Sequence, residues 1–279
     1  MSDSAGSSSN YCYRHPNRQS YILCQRCGRT ICPECQTQAA VGVQCPECVR
    51  EGRASVPRPK SRILTAFRPD SGKPVVTWTI IALCVVLFGL QNLPVVGNYI
   101  NIFGVYRPLL TESLPWTMIT SAFLHGSILH ILFNMYSLFI IGSLLERMLG
   151  RGRYIALYLL SAFGGSVAVL LLSPATAVVG ASGAIFGLLG AFFVIQRKFG
   201  GTNVQLLVIV GLNLVIGFVP GLNIAWQAHI GGLIVGAAIA FIYVRTRRAA
   251  QKNTQILMVS LVGVALIALT IVGVLLIHR

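Results

Sequence analysis

From Pro74 onward the chain is written in long apolar runs, separated by short basic or turn-forming clusters. Runs near 75–93, 126–148, 152–172, 182–197, 203–219, 225–244 and 256–277 each approach the roughly 20 residues that a bilayer's hydrocarbon core asks of a helix. They predict seven membrane helices, the fourth and fifth of them short. Before Pro74 the pattern is polar, with no apolar stretch of signal-peptide type in the first 60 residues. The expected fold class is an all-α polytopic membrane protein preceded by a small separate domain. Residues 1–10 read as a disordered Ser/Gly-rich tail, 11–50 as a Cys/His module and 51–73 as a basic juxtamembrane linker. The stretch from Arg62 to Arg68 can lie on an anionic leaflet or be a plain solvated linker.

Composition agrees with the pattern: 54% of the 279 residues are hydrophobic and 10% charged. The net charge of +15 raises nucleic acid as a partner, but after Lys73 the basic residues sit in short clusters between apolar spans. That arrangement belongs to membrane topology, and no nucleic-acid partner is expected. With the N-terminus inside, the inner connections hold Arg147, Arg151, Arg153, Arg197, Lys198, Arg245, Arg247, Arg248 and Lys252, against Arg107 and Arg279 outside. This obeys the positive-inside rule and puts the C-terminus outside. A bacterial plasma membrane is the expected location. The long connection 94–125, with Pro94, Pro108, Pro115 and Trp116, is semi-apolar and is expected to lie partly in the outer leaflet.

Two polar residues stand inside apolar runs, Ser182 in Gly180-Ala181-Ser182-Gly183 and His229 in His229-Ile-Gly-Gly232-Leu-Ile-Val-Gly236. The topology puts both in the outer half of their helices, in one layer with His125, His130 and Asn134. His130 and Asn134 are four apart and share a helix face. Small residues recur at spacing four in Gly183/Gly187 and in Gly232/Gly236/Ala240, which lets membrane helices approach closely. A lone serine would be expected only to bond a backbone carbonyl. A histidine at equal depth on a second small-faced helix favours nucleophilic chemistry, because a hydroxyl needs a base to take its proton. His229 would be that base and then the acid for the leaving amine. Candidate oxyanion donors are backbone N–H at the helix start and the side chains of His130 and Asn134. No Asp or Glu in the outer half can orient His229, so a dyad is expected. Phe186, one turn below Ser182, either packs on the imidazole or is a plain core aromatic. Ala184 breaks the Gly-x-Ser-x-Gly elbow of soluble hydrolases.

The set Gly180-Ala-Ser182-Gly, His130-x-x-x-Asn134 and His229-x-x-Gly232-x-x-x-Gly236 resembles the rhomboid intramembrane serine proteases over about residues 75–250. The resemblance implies a six-helix core, residues 74–250, followed by a seventh helix in 251–279. It implies Ser182 as nucleophile and His229 as base, in a cavity open to the outer face, with His130, Asn134 and the Gly180–Ser182 backbone around the oxyanion. It implies transmembrane proteins as substrates. The family's Gly-x-x-x-Glu pattern appears as Gly142 to Glu146, read as structural, with Glu146 pairing a nearby backbone group or Arg. Trp116-Thr117 departs from the family's Trp-Arg, and Phe186 from its frequent Tyr. The alternative reading is a rhomboid-like protein that binds membrane clients without cutting them. A transporter is disfavoured, because the polar residues cluster at one face and no inverted repeat is visible.

Seven of the eight cysteines fall in Cys12-x2-His15-x8-Cys24-x2-Cys27-x4-Cys32-x2-Cys35-x9-Cys45-x2-Cys48. Four pairs at two-residue separation suit two tetrahedral zinc sites, and a reducing compartment favours metal over disulfides. The spacing resembles a B-box-type zinc finger. That resemblance implies cross-bracing, with Cys12, His15, Cys32 and Cys35 in one site and Cys24, Cys27, Cys45 and Cys48 in the other; sequential pairing remains open. Both zinc ions would be structural, and the module is expected to bind a protein partner or regulate the protease. Cys84, alone in an apolar run, is expected to be an inert hydrophobe.

Overall fold

The structure, a computed structural model, describes residues 10–55, 73–198, 200, 211 and 225–278. The fifth predicted helix (203–219), the 1–9 tail and most of the linker lie outside these. Two units divide the chain, Met1–Lys60 and Ser61–Arg279.

The first unit has two small antiparallel hairpins, β1 (Tyr11–Cys12) with β2 (His15–Gln19) and β3 (Thr37–Gln38) with β4 (Val43–Gln44). They are followed by helix α1 (Pro46–Ser55). Its interior is almost entirely sulfur: Cys12, Cys24, Cys32, Cys35, Cys45 and Cys48 are buried around Ile31. So little apolar area cannot hold 46 residues together unaided. Helix α1 runs past the expected boundary at residue 50. Arg26 ties it back by donating to the carbonyl of Cys48 (2.7 Å) and facing Glu51 (3.9 Å).

In the second unit the observed helices follow the apolar runs closely. They are α2 (Val75–Gln91), a span from Ile128 to Leu149, α7 (Arg151–Leu172), α8 (Ser182–Lys198), α9 (Trp226–Arg245) and α10 (Lys252–Ile277). Four of them are long and apolar enough to cross a membrane, and the chain is an integral membrane protein. The long connection is not a plain loop: it holds α3 (Pro94–Gly104) and the one-turn α4 (Thr117–Thr120). Tyr99, Ile102 and Phe103 make an exposed apolar surface on α3. The connection is pinned by Trp116 Nε1 donating to the Phe103 carbonyl (2.9 Å) and by Ser166 of α7 donating to that of Met118 (2.7 Å).

The span 128–149 is not uniform. It comprises α5 (Ile128–Ser137), a π-helical turn over Leu138–Gly142, and α6 (Ser143–Leu149). The turn presents Gly142 to its neighbours; a Cβ there would meet the Tyr154 hydroxyl of α7 at 2.5 Å and Thr77 of α2 at 3.2 Å. One turn on, Glu146 is buried. Its carboxylate accepts from the backbone N–H of Val76 (2.9 Å) and Thr77 (2.7 Å) and from the Thr77 hydroxyl (2.8 Å). These are orphan donors of the first turn of α2, where the helix dipole also favours an anion. Glu146 therefore pairs backbone, as the first of the two expected options. Glu146→Ala should lower stability by roughly 2–4 kcal/mol, because buried donors lose a charged acceptor. Thermal melting in detergent checks this, and an unchanged melting temperature would contradict it.

Helix α10 is held at its N-terminal end by a buried polar node. Gln255 accepts from Arg153 Nε of α7 (2.7 Å) and donates to the carbonyl (3.0 Å) and hydroxyl (2.8 Å) of Thr246, just past α9. Apolar burial drives little helix association in lipid, so such bonds and close packing do that work.

Candidate active site

Three of the expected site residues stand in the first turn of their helices: His130 in α5, Ser182 in α8 and His229 in α9. The local chain explains each placement. Ser127 caps α5, its hydroxyl accepting the His130 N–H (3.2 Å). Before α8, Tyr106 and Val178 exchange backbone hydrogen bonds (3.1 and 2.8 Å), which fixes the approach of the strand-like segment to Ser182. Gly180 then turns the chain at φ +121°, a conformation that L side chains rarely adopt. A Cβ at Gly180 would also fall 2.6 Å from the His130 ring, so glycine is required twice over.

Helices α8 and α9 meet along their glycines. A Cβ on Gly232 would collide with the Gly183 carbonyl, and one on Gly236 with the Gly187 carbonyl. This approach of backbones leaves His229 Nε2 2.9 Å from Ser182 Oγ. The Phe186 ring stacks on the imidazole at 4.2 Å between centroids and 6° between planes. His229 Nδ1 is buried and has no hydrogen-bond partner among the described residues. The ring plane is therefore held by an aromatic face, with no carboxylate against its second nitrogen.

Around the serine the expected donors divide. His130 lies against Gly180 with its ring edge, on the Ser182 side. Asn134 donates through Nδ2 to the carbonyl of His130 in its own helix (2.8 Å). The Gly180 N–H, expected from the sequence to face the oxyanion, instead donates to the Ser121 carbonyl (2.9 Å). That bond escaped the sequence reading, since nothing in the local pattern links residues 59 apart. His125 packs its ring edge-on against His130 at 5.2 Å, and both its nitrogens are buried without partners among the described residues.

The eight ligand candidates of the first unit converge in two groups: Cys12, His15, Cys32 and Cys35, and Cys24, Cys27, Cys45 and Cys48. Within each group the ligand atoms lie within 4.8 Å of one another. Sγ of Cys32 and Cys35 stand 3.3 and 3.4 Å from His15 Nδ1, and Cys27 Sγ stands 3.7 Å from Cys45 Sγ. A tetrahedron with metal–sulfur bonds of about 2.3 Å has edges of about 3.8 Å. The donor sets S₃N and S₄ thus fit metal ions, and the partition is the cross-braced one. No cysteine is in a disulfide.

Ser182 and His229 are thus hydrogen-bonded between two helices that meet along their glycines, within a membrane domain. The chain belongs to the rhomboid family: the family profile for the Rhomboid domain matches residues 112–246. The putative rhomboid protease YdcA of Bacillus subtilis is 34% identical over 182 residues, 62% of this chain and 90% of that protein. Rhomboid protease GluP of Bacillus subtilis is 38% identical over 180 residues, 60% of this chain and 34% of GluP. RHOMBOID-like protein 4 of Arabidopsis thaliana is 40% identical over 134 residues, 46% of this chain and 34% of that protein. The chain spans about a third of the length of the last two.

Proposed function

We propose that this chain is an intramembrane serine endopeptidase that cuts transmembrane proteins near the outer face of the membrane. The observation that carries the reading is the 2.9 Å contact between His229 Nε2 and Ser182 Oγ inside a membrane domain. Ser182 Oγ attacks the scissile carbonyl carbon while its proton passes to His229 Nε2. The C–N bond then breaks, and the same proton goes to the leaving amine, leaving an acyl ester on Ser182. Water repeats the sequence: His229 takes its proton, the ester C–O bond breaks, and Ser182 regains its hydrogen. The oxyanion is received by the Ser182 N–H at the helix start, by the His130 imidazole and by the second N–H of Asn134. Gly180 serves by having no side chain, so that His130 can come close.

Similarity to the rhomboid protease GluP and the putative rhomboid protease YdcA supports the proteolytic role. The non-catalytic client-binding alternative predicts no activated serine. Labelling of the detergent-solubilised protein with a fluorophosphonate probe separates the two. The protease reading requires labelling that disappears in both Ser182→Ala and His229→Ala; an unlabelled, folded wild type contradicts it. Gly236→Val tests the packing behind the dyad. Its side chain would push α9 off the Gly187 carbonyl. A displacement of about 1 Å costs about 100-fold in rate, so labelling should slow by at least that factor. Labelling at the wild-type rate would sink this account of the glycine face.

In the N-terminal module, the two four-residue groups would each hold a structural zinc ion, with every coordination position filled by protein. The basic clusters put the N-terminus on the cytoplasmic side.

A further inference from the structure

The N-terminal module is turned inside out with respect to its apolar side chains. Cysteines apart, Ile31 is its one fully buried large hydrophobe among the described residues, while Tyr11, Tyr21, Ile22, Leu23 and Val41 are exposed. Tyr21 and Val41 are the extremes, at 71% and 79% exposure. Backbone hydrogen bonds bring their two segments near one another. Tyr21, Ile22 and Leu23 form one edge, held by Ile22 and Leu23 pairing with Ile31 and Thr30. Val41 sits at the tip of the β3–β4 hairpin beside Gly42, and the hairpin is tied to Gln25, two residues beyond Leu23, by the Gln25 N–H donating to the Val43 carbonyl (3.0 Å). An exposed apolar edge on so small a unit marks an interaction surface.

We propose that this edge, Tyr21-Ile22-Leu23 with Val41, docks into the headgroup region of the anionic bilayer leaflet in which the same chain is anchored. Three observations choose lipid as the occupant. The sequence has 19 residues between the end of α1 at Ser55 and the start of α2 at Val75, at most about 70 Å of chain. The module therefore never leaves the neighbourhood of the membrane surface. The sequence between them carries Arg58, Lys60, Arg62, Arg68 and Lys73 against Asp70 alone, and each basic residue near an anionic leaflet adds attraction. The apolar residues project from an edge and a hairpin tip, a shape that an interface of lipid accepts without a complementary pocket. Tyrosine with aliphatic neighbours is the composition that partitions there.

The test is hydroxyl-radical footprinting of the full-length, zinc-loaded chain in three media: nanodiscs of phosphatidylcholine with phosphatidylglycerol, nanodiscs of phosphatidylcholine alone, and detergent micelles. Buried Ile31 supplies the baseline of a shielded aliphatic side chain. Docking predicts that oxidation of Tyr21, Ile22, Leu23 and Val41 falls about tenfold in the phosphatidylglycerol discs relative to detergent, and less in phosphatidylcholine. Leu23→Asp should return Tyr21 to its detergent rate in the same discs. Equal oxidation in all media overturns the proposal. Protection already complete in detergent also overturns it, pointing to cover by the chain itself or a second copy. Protection that appears only on adding soluble cell extract overturns it in favour of a protein partner. None of these readouts depends on proteolysis.

Discussion

Ser182→Ala and His229→Ala should each reduce cleavage of a membrane-anchored reporter in liposomes by at least about 10⁴-fold, and the double variant should be little worse than either. The non-additivity is the sharper part of the expectation. Ser182 Oγ and His229 Nε2 share one hydrogen bond, and a base without a nucleophile, or the reverse, leaves the same residual chemistry. Melting temperatures should move little for Ser182→Ala, since a small polar group at a helix start is replaced by a good helix former. Phe186→Leu should cost less than either dyad variant, because it removes the stacked face that holds the imidazole plane and leaves the proton acceptor in place. Turnover by Ser182→Ala clearly above the background of protein-free liposomes would contradict the mechanism.

Stripping metal from the intact chain should unfold residues 10–55 and leave the membrane domain as it was. The physical reason is the near absence of any other core: six buried cysteines and Ile31. Structural zinc sites contribute apparent binding energies of about 10–16 kcal/mol in peptide modules near neutral pH, far above what one isoleucine supplies. Hydrogen exchange reads the outcome. The amides of Cys24 and Ile31, bonded to the carbonyls of Arg29 and Ile22, should lose protection when a chelator removes the metal, while those of α8 and α9 keep theirs. Acid should do the same. Burial opposes the Cys12 thiolate, but backbone N–H groups of Cys32 and Arg14 outweigh it and hold the thiol down at about 6. Cys24 is likewise lowered to about 6, burial being outweighed by backbone N–H groups led by Cys45. Burial and the neighbouring thiolates push Cys35, in the site of Cys12, up to about 11 and Cys48, in the site of Cys24, up to about 12; metal binding displaces those protons, and falling pH reverses the exchange. Full protection at Ile31 after complete metal removal would refute the metal-dependent core.

How much of this was legible beforehand differs from element to element. The bounds of α7, α9 and α10 fall within a few residues of the apolar runs, because a membrane helix must satisfy its own backbone whatever its neighbours do. Ser182, His229 and the glycine faces were legible for a related reason: polar or very small side chains in lipid are costly or uninformative unless another helix meets them. Within the long connection, by contrast, α3 and α4 were not foreseen. Their short segments carry no sustained period, and the chain there is held by contacts such as Thr120 with the Gly104 carbonyl and Ser166 of α7 with the Met118 carbonyl.

The sequence by itself singled out the candidate residues for the chemistry and for metal, by type and spacing alone. It could not decide whom they meet. The cross-braced division of the eight ligands, the choice of Phe186 as a stacking face over a plain core aromatic, the Glu146 carboxylate on the first turn of α2 and the loss of the Gly180 N–H to Ser121 are all contacts between residues distant in the chain. Those in the membrane domain depend on a close approach of two backbones. Only the tertiary structure sets that distance, through glycines where any added carbon would collide.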